Sequence, residues 1–257
     1  MTLDYDQLLT LVTELGFGLS KSGAEIYRVE ESIQRLLFAY GIYDANPFVI
    51  PNCIIVSFVT PEGVTMNRIR RVPYHGTDVD LIERYNDLCR KLCRDTPDLT
   101  VALDRLREID RTRRVYSTPV QLAAYLVASA AFVLFFGGNL RDAFCGGICG
   151  LAVGLAMTAM SILRANLFFK SMIGAAISGI LALFQTAIGI GQHSDMIIIG
   201  ALMSLVPGIV FTNAIRDFMA GDMVAGISKV AEALLVGVAV ALDTGSALML
   251  FRYLGVG

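Results

Sequence analysis

Residues 118–138 read TPVQLAAYLVASAAFVLFFGG, a run without one charged side chain. A helix crosses the roughly 30 Å of membrane hydrocarbon with about 20 apolar residues, so this run predicts a transmembrane span. Toward the C-terminus similar runs recur at about 142–162, 170–190, 195–214 and 222–242. The gaps between them are short and hold charges or helix breakers: Gly137 to Asp142, Arg164 to Lys170, Gly189 to Asp195 and Arg216 to Asp222. Five spans are therefore expected. A last apolar stretch, Ala247 to Val256, is too short to cross alone and either extends the fifth helix or lies at the interface.

Toward the N-terminus the character changes. Of the 21 Lys and Arg, 15 fall in residues 1–117, as do 17 of the 23 Asp and Glu. Residues 1–117 thus read as a water-soluble domain and residues 118–257 as a domain dissolved in lipid. Net charge is only −2, and no basic excess points to nucleic acid. Asp4, Asp6 and Glu14 break any apolar run in residues 1–15, so no cleavable signal peptide is expected. Arg105, Arg107, Arg111, Arg113 and Arg114 precede the first span. Basic residues stay on the cytoplasmic side, which places the N-terminus inside and the chain as a multi-pass protein of the cell (inner or plasma) membrane. Alternation then puts Arg164, Lys170 and Arg216 inside, leaves Arg141 outside, and sends the C-terminus outside.

Polar groups within the spans carry more information, because each is costly in lipid. Gln185 lies in the third span. Lys229 and Glu232 lie in the fifth, three residues apart and able to share a helix face; they read as an internal ion pair or as part of a proton or substrate path. Gly146, Gly150 and Gly154 line one helix face, for tight helix packing or for a substrate path. The sharpest signal is Leu205-Val206-Pro207-Gly208 through Thr212-Asn213-Ala214-Ile215-Arg216-Asp217. Proline removes a backbone hydrogen bond and glycine loosens the helix beside it. Such a break is a simple kink or a substrate site near the midplane of a transporter. Asn213, Arg216 and Asp217 sit within about one turn, where they gate the cytoplasmic end or anchor it in headgroups.

In the N-terminal part, Leu8, Leu9, Leu11, Val12, Leu15 and Leu19 fit one amphipathic helix and Ile26, Val29, Ile33, Leu36 and Leu37 a second, interrupted near Ser22-Gly23. Residues 48–72 read as a β-hairpin turning at Pro61-Glu62-Gly63, and helices follow at about 77–94 and 97–112. The fold class expected is a mainly α membrane protein, with about five helices in a bundle behind a small cytoplasmic α/β domain. Arg68, Arg70 and Arg71 mark a solvated strand edge, a headgroup contact or an anion site. Cys89 and Cys93, like Cys145 and Cys149, stand one helical turn apart without the further ligands a metal needs. His75 and His193 are isolated in sequence. No nucleotide-binding glycine loop, catalytic Ser–His or Cys–His signature, or HExxH is present, so neither an enzyme nor a cofactor is expected.

Two separated motifs carry a resemblance. Leu15-Gly16 through Ser22-Gly23-Ala24-Glu25 and Val29-Glu30, with the strands ending in Arg68 to Arg71, resemble the N-terminal domain of threonine/serine exporters of the ThrE and YjjP type. Leu205 through Asp217, followed by Gly221-Asp222, is similar to that family's membrane motif. The resemblance implies secondary export of small polar metabolites: threonine and serine, or a dicarboxylate such as succinate. It also implies that Gly23, Ala24, Glu25, Pro207, Gly208, Asn213 and Asp217 are family signature positions. Family members that are longer fuse this unit to a second membrane unit. The present chain resembles the split form, which pairs with a small membrane subunit; a homo-oligomer is the other partnership expected. An exporter subunit, proton-coupled, is the first functional expectation. The second is a regulatory or assembly subunit whose cytoplasmic domain senses a ligand while a partner forms the path.

Overall fold

The computed structural model describes residues 3–73, 76–163 and 165–253, so His75 and Arg164 lie outside the described residues. The chain forms two compact units. One comprises Met1–Arg114 with Ile209–Ala231, the other Val115–Gly208 with Glu232–Gly257. Residues 209–231 thus join a unit otherwise built from the start of the chain.

In the first unit, α1 (Tyr5–Lys21) is the central helix. Its Leu8, Leu9, Leu11, Val12, Leu15 and Leu19 are all buried, a wide apolar stripe at helical spacing. Asp4 caps its N-terminus by accepting from the Asp6 and Gln7 N–H groups. Helix α2 (Ile26–Ala39) adds Val29, Ile33, Leu36 and Leu37 to the same core. Strands β1 (Ala45–Ile50), β2 (Cys53–Val59) and β3 (Thr65–Arg71) form an antiparallel sheet in that order. Alternate residues of the central strand, Ile54, Val56 and Phe58, are buried. The expected hairpin is thus a three-stranded meander. Ile50 pairs with Cys53 across Pro51-Asn52, a turn without the Asn-Gly or Asp-Gly signal that marks a tight hairpin. Pro47 is tolerated because β1 is an edge strand. Helices α3 (Val79–Asp95) and α4 (Leu99–Arg111) stand within about two residues of the expected positions.

Two arginines of β3, Arg68 and Arg70, are occupied locally. Arg68 lies 2.9 Å from Asp6 and Arg70 2.7 Å from Glu14, and the Arg70 guanidinium stacks 4.5 Å over Phe17. These contacts fasten the sheet to α1, and such exposed pairs contribute only about 0–1 kcal/mol each.

The second unit contains α5 (Thr118–Phe135), α6 (Leu140–Ile162), α7 (Leu167–Ala187), α8 (Ser194–Leu202) and the later part of α10 (Met223–Tyr253). Among the described residues, four helices are long and apolar enough to cross a membrane: α5, α6, α7 and Met223–Met249 of α10. The fifth expected span, 195–214, is not one helix. Helix α8 ends at Leu202, and the chain becomes helical again at Gly208, where α9 (Gly208–Ala220) begins. Pro207 lacks the N–H that would continue the ladder and clashes with the preceding turn. The stretch from Ala247 extends α10 as far as Tyr253, and residues 254–257 lie outside the described residues.

The glycine stripe of α6 is a helix contact. A Cβ on Gly150 would stand 2.6 Å from the Tyr125 carbonyl oxygen, and one on Gly154 2.8 Å from the Tyr125 ring. Only glycine lets α5 approach this closely. At the start of α6, Asn139 and Asp142 form a capping box. Asp142, wholly buried, also accepts from the Gln192 N–H at 2.7 Å and lies 2.8 Å from His193 Nδ1. His193 therefore has a carboxylate partner that its sequence neighbourhood does not reveal.

Candidate functional site where the two motifs meet

Helix α2 starts without a side-chain cap of its own: its N-cap residue, Glu25, makes no capping hydrogen bond. The first turn of any helix leaves N–H groups without intrahelical acceptors. Here Asp217 Oδ1, on α9, accepts from the Ile26 N–H at 2.9 Å. A residue 191 positions away thus caps α2.

The other carboxylate oxygen of Asp217 lies 2.7 Å from Lys229 Nζ on α10. Asp217 is 0% and Lys229 7% exposed, so the pair is removed from water. Lys229 Nζ also reaches the Ala24 carbonyl at 3.5 Å. Asn213 Nδ2 donates to the Gly23 carbonyl at 3.0 Å. Arg216 Nη1 stands 2.6 Å from Glu25 Oε1, and Arg28 Nε approaches the other oxygen at 3.6 Å. Asn213, Arg216 and Asp217 follow i, i+3, i+4 spacing and so present one face of α9. That face holds each of Gly23, Ala24, Glu25 and Ile26 by one contact, directly or through Lys229.

The turn it holds is itself demanding. Gly23 has φ +88°, and a Cβ there would collide with the Gly76 carbonyl oxygen. Only glycine satisfies both conditions.

Electrostatics grade the surrounding carboxyls. Burial opposes ionisation of Glu25, but its own backbone N–H, the Arg216 hydrogen bond and the Arg28 and Arg216 charges outweigh it and lower its pKa. Glu30, whose side chain accepts from the Val49 N–H at 2.7 Å, is shifted upward by burial and by the charge of Asp222. Asp222 is shifted upward by burial and by the charge of Asp217. The site therefore contains an ion pair, an anchored carboxylate and two carboxyls that hold protons more readily than usual. Glu30 and Asp222, both quoted within the two motifs but given no role there, thus join the site.

Four expected site residues lie elsewhere, in the second unit: Gln185, Pro207, Gly208 and Glu232. Pro207 lines an apolar groove of about 410 Å³ with Ile198, Leu202, Val240 and Thr244. Gln185 is buried, donates to Cys149 Sγ at 3.5 Å and leaves Oε1 without a partner among the described residues. The sequence reading ended the last span at residue 242 and so passed over Asp243. Its Oδ2 and the neighbouring Thr244 Oγ1 are buried and unpartnered among the described residues. The polar run Asp243-Thr244-Gly245-Ser246 inside an apolar helix was the available signal.

A family comparison bears directly on this pairing of motifs. Residues 10–251 match the ThrE family, described as "Putative threonine/serine exporter". The chain belongs to the ThrE family. Its family match runs through both motifs, and together with the four apolar helices among the described residues it indicates a membrane protein. ThrE proteins are transporters and not enzymes. An uncharacterized protein of Schizosaccharomyces pombe is 23% identical over 212 residues, which cover 79% of this chain and 25% of that protein. The chain thus spans about a quarter of the length of that relative. No solved structure matches the chain.

Proposed function

We propose that this ThrE chain is a subunit of a proton-coupled secondary exporter that moves threonine, serine or a small dicarboxylate such as succinate out of the cell. Its N-terminal unit lies in the cytoplasm, and a second small membrane subunit or a second copy completes the path. The observation that carries the reading is the buried Asp217–Lys229 pair, which ties the membrane motif to the turn Gly23–Glu25. A buried ion pair adds little net stability but specifies one arrangement sharply, as a gate requires. Separating Asp217 from Lys229 breaks the tie between α9 and α10 beside the turn, where Lys229 also reaches the Ala24 carbonyl, so one local event loosens the motif site. A proton or a solute carboxylate that competes for either partner opens it. The helix break at 203–207 and the polar atoms of Gln185, Glu232 and Asp243 support a wet path between membrane helices.

Export from cells preloaded with threonine or succinate tests the reading. Asp217→Asn and Glu232→Gln are each expected to abolish efflux at normal membrane levels of the protein. Unchanged efflux in both removes the mechanism. Reconstitution of the purified chain alone separates a transporting subunit from a regulatory one.

A further inference from the structure

Away from the motif site, the first unit holds a cleft of about 680 Å³ between α2 and α3. Its walls carry four guanidinium groups, Arg28, Arg35, Arg90 and Arg94, against one carboxylate, Glu31. On β3, by contrast, Arg68 and Arg70 are each matched to an acid of α1. Arg35 shares Glu31 at 2.5 Å, while Arg90 and Arg94 lean on Asp87 and Asp95, acids that do not line the cleft. A guanidinium offers five N–H donors in a planar fork, so one carboxylate neighbour leaves most of them available. Each arginine is at least half solvent-exposed or nearly so, where one pair of charges contributes little. Recognition then requires a ligand that meets several guanidinium groups at once.

We propose that this cleft binds a small soluble multivalent anion, a polycarboxylate or a phosphate-bearing metabolite. The volume falls within the range of small-molecule sites, about 300–1,000 Å³. Two or more negative groups on one molecule match the opposing α2 and α3 arginines through paired hydrogen bonds. Tyr27 supplies a flat wall. At the floor, Cys93 lines the cleft and is partly exposed, and a hydrogen bond from Cys89, against burial and with the Arg35 charge, holds its thiol below the ordinary range. Arg28 serves both regions, because its Nε lies 3.6 Å from Glu25. An anion that draws Arg28 into the cleft takes it from Glu25.

Cys93 gives the assay. The full chain in neutral-lipid nanodiscs is alkylated with iodoacetamide and the rate at each cysteine read by peptide mass spectrometry. Cys53, partly exposed on β2 and outside the cleft, is the internal reference. Inorganic pyrophosphate and citrate are the probes, each against sodium chloride of equal ionic strength. At ten times the half-saturating probe concentration, Cys93 alkylation is expected to slow about ten-fold by mass action, with Cys53 unchanged. Arg35→Gln/Arg90→Gln should remove the protection while Cys53 reactivity and the unfolding temperature stay at wild-type values. Arg90→Gln/Arg94→Gln, both highly exposed positions, provides the same test on one helix alone. Nanodiscs containing anionic lipid but no added anion distinguish the source: protection there, and none from the soluble probes, assigns the cleft to a headgroup and overturns the soluble ligand. Equal Cys93 rates with probe and with sodium chloride, or protection that persists in both arginine variants, overturns the site.

Discussion

Replacing Asp217 by asparagine removes one charge and almost nothing else. Oδ1 remains to accept from the Ile26 N–H, now bonded at 2.9 Å, so α2 keeps its cap. What is lost is the partner of Lys229, which is 7% exposed and among the described residues has only the Ala24 carbonyl at 3.5 Å in compensation. Leaving one member of a buried pair unpaired costs about 3–5 kcal/mol. At about 2–4 °C per kcal/mol for a chain of this size, the unfolding midpoint should fall by about 6–20 °C. Lys229→Met should do the same by stranding Asp217. The double variant Asp217→Asn/Lys229→Met should recover most of the loss, since removing both charges of a buried pair is often neutral or better. Unfolding of the detergent-solubilised protein followed by far-ultraviolet circular dichroism reads all three. Single variants within about 0.5 kcal/mol of wild type, the range of ordinary surface changes, would refute the reasoning, as would strictly additive single and double effects.

Other expectations come from neighbouring features. Gly23→Ala forces φ +88° on a residue with a Cβ and drives that carbon into the Gly76 carbonyl, whereas Gly41→Ala faces φ +87° with open space. The second should cost about 1–2 kcal/mol and the first more, measured as unfolding midpoints. Gly150→Val pushes α5 off α6 through Tyr125 and Ser129, and should abolish the monodisperse peak in size-exclusion chromatography. The pH dependence has two opposite parts. Glu25, with a lowered pKa, contributes stability above its unfolded value that is lost as pH falls through its folded value. Glu30, with a raised pKa, contributes stability below its unfolded value that is lost as pH rises through its folded value. Glu25→Gln should therefore flatten the acid-side loss of midpoint, and Glu30→Gln the loss on the other side.

Sequence carries local physics well and long-range pairing poorly, and this chain separates the two. The apolar runs of α5, α6, α7 and α10 are legible because lipid demands length and apolarity together. The break before Gly208 is legible because Pro207 cannot continue a helix; that it divides the span into two short helices is not, since kink and break share one signal. Strand β1 is hidden by Pro51-Asn52, which reads as an interruption and acts as a turn. Each motif of the candidate site was visible separately, yet nothing local tells Asp217 that its acceptor duty lies at Ile26. Lys229 has Glu232 three positions ahead, a natural helical partner, but its ion pair is with Asp217 on the preceding helix. Asp142 and His193 likewise look like ordinary loop residues until the chain brings them together.

The central claim, that the Asp217–Lys229 pair must break and re-form to couple proton movement to solute release, is tested most directly by active efflux from proteoliposomes under an imposed proton gradient. The protein is reconstituted with any partner subunit it requires, and wild type is compared with the stability-restored double variant. The account predicts wild-type folding and orientation with efflux reduced to the level of empty vesicles. Gradient-driven efflux at the wild-type rate in the double variant would contradict it.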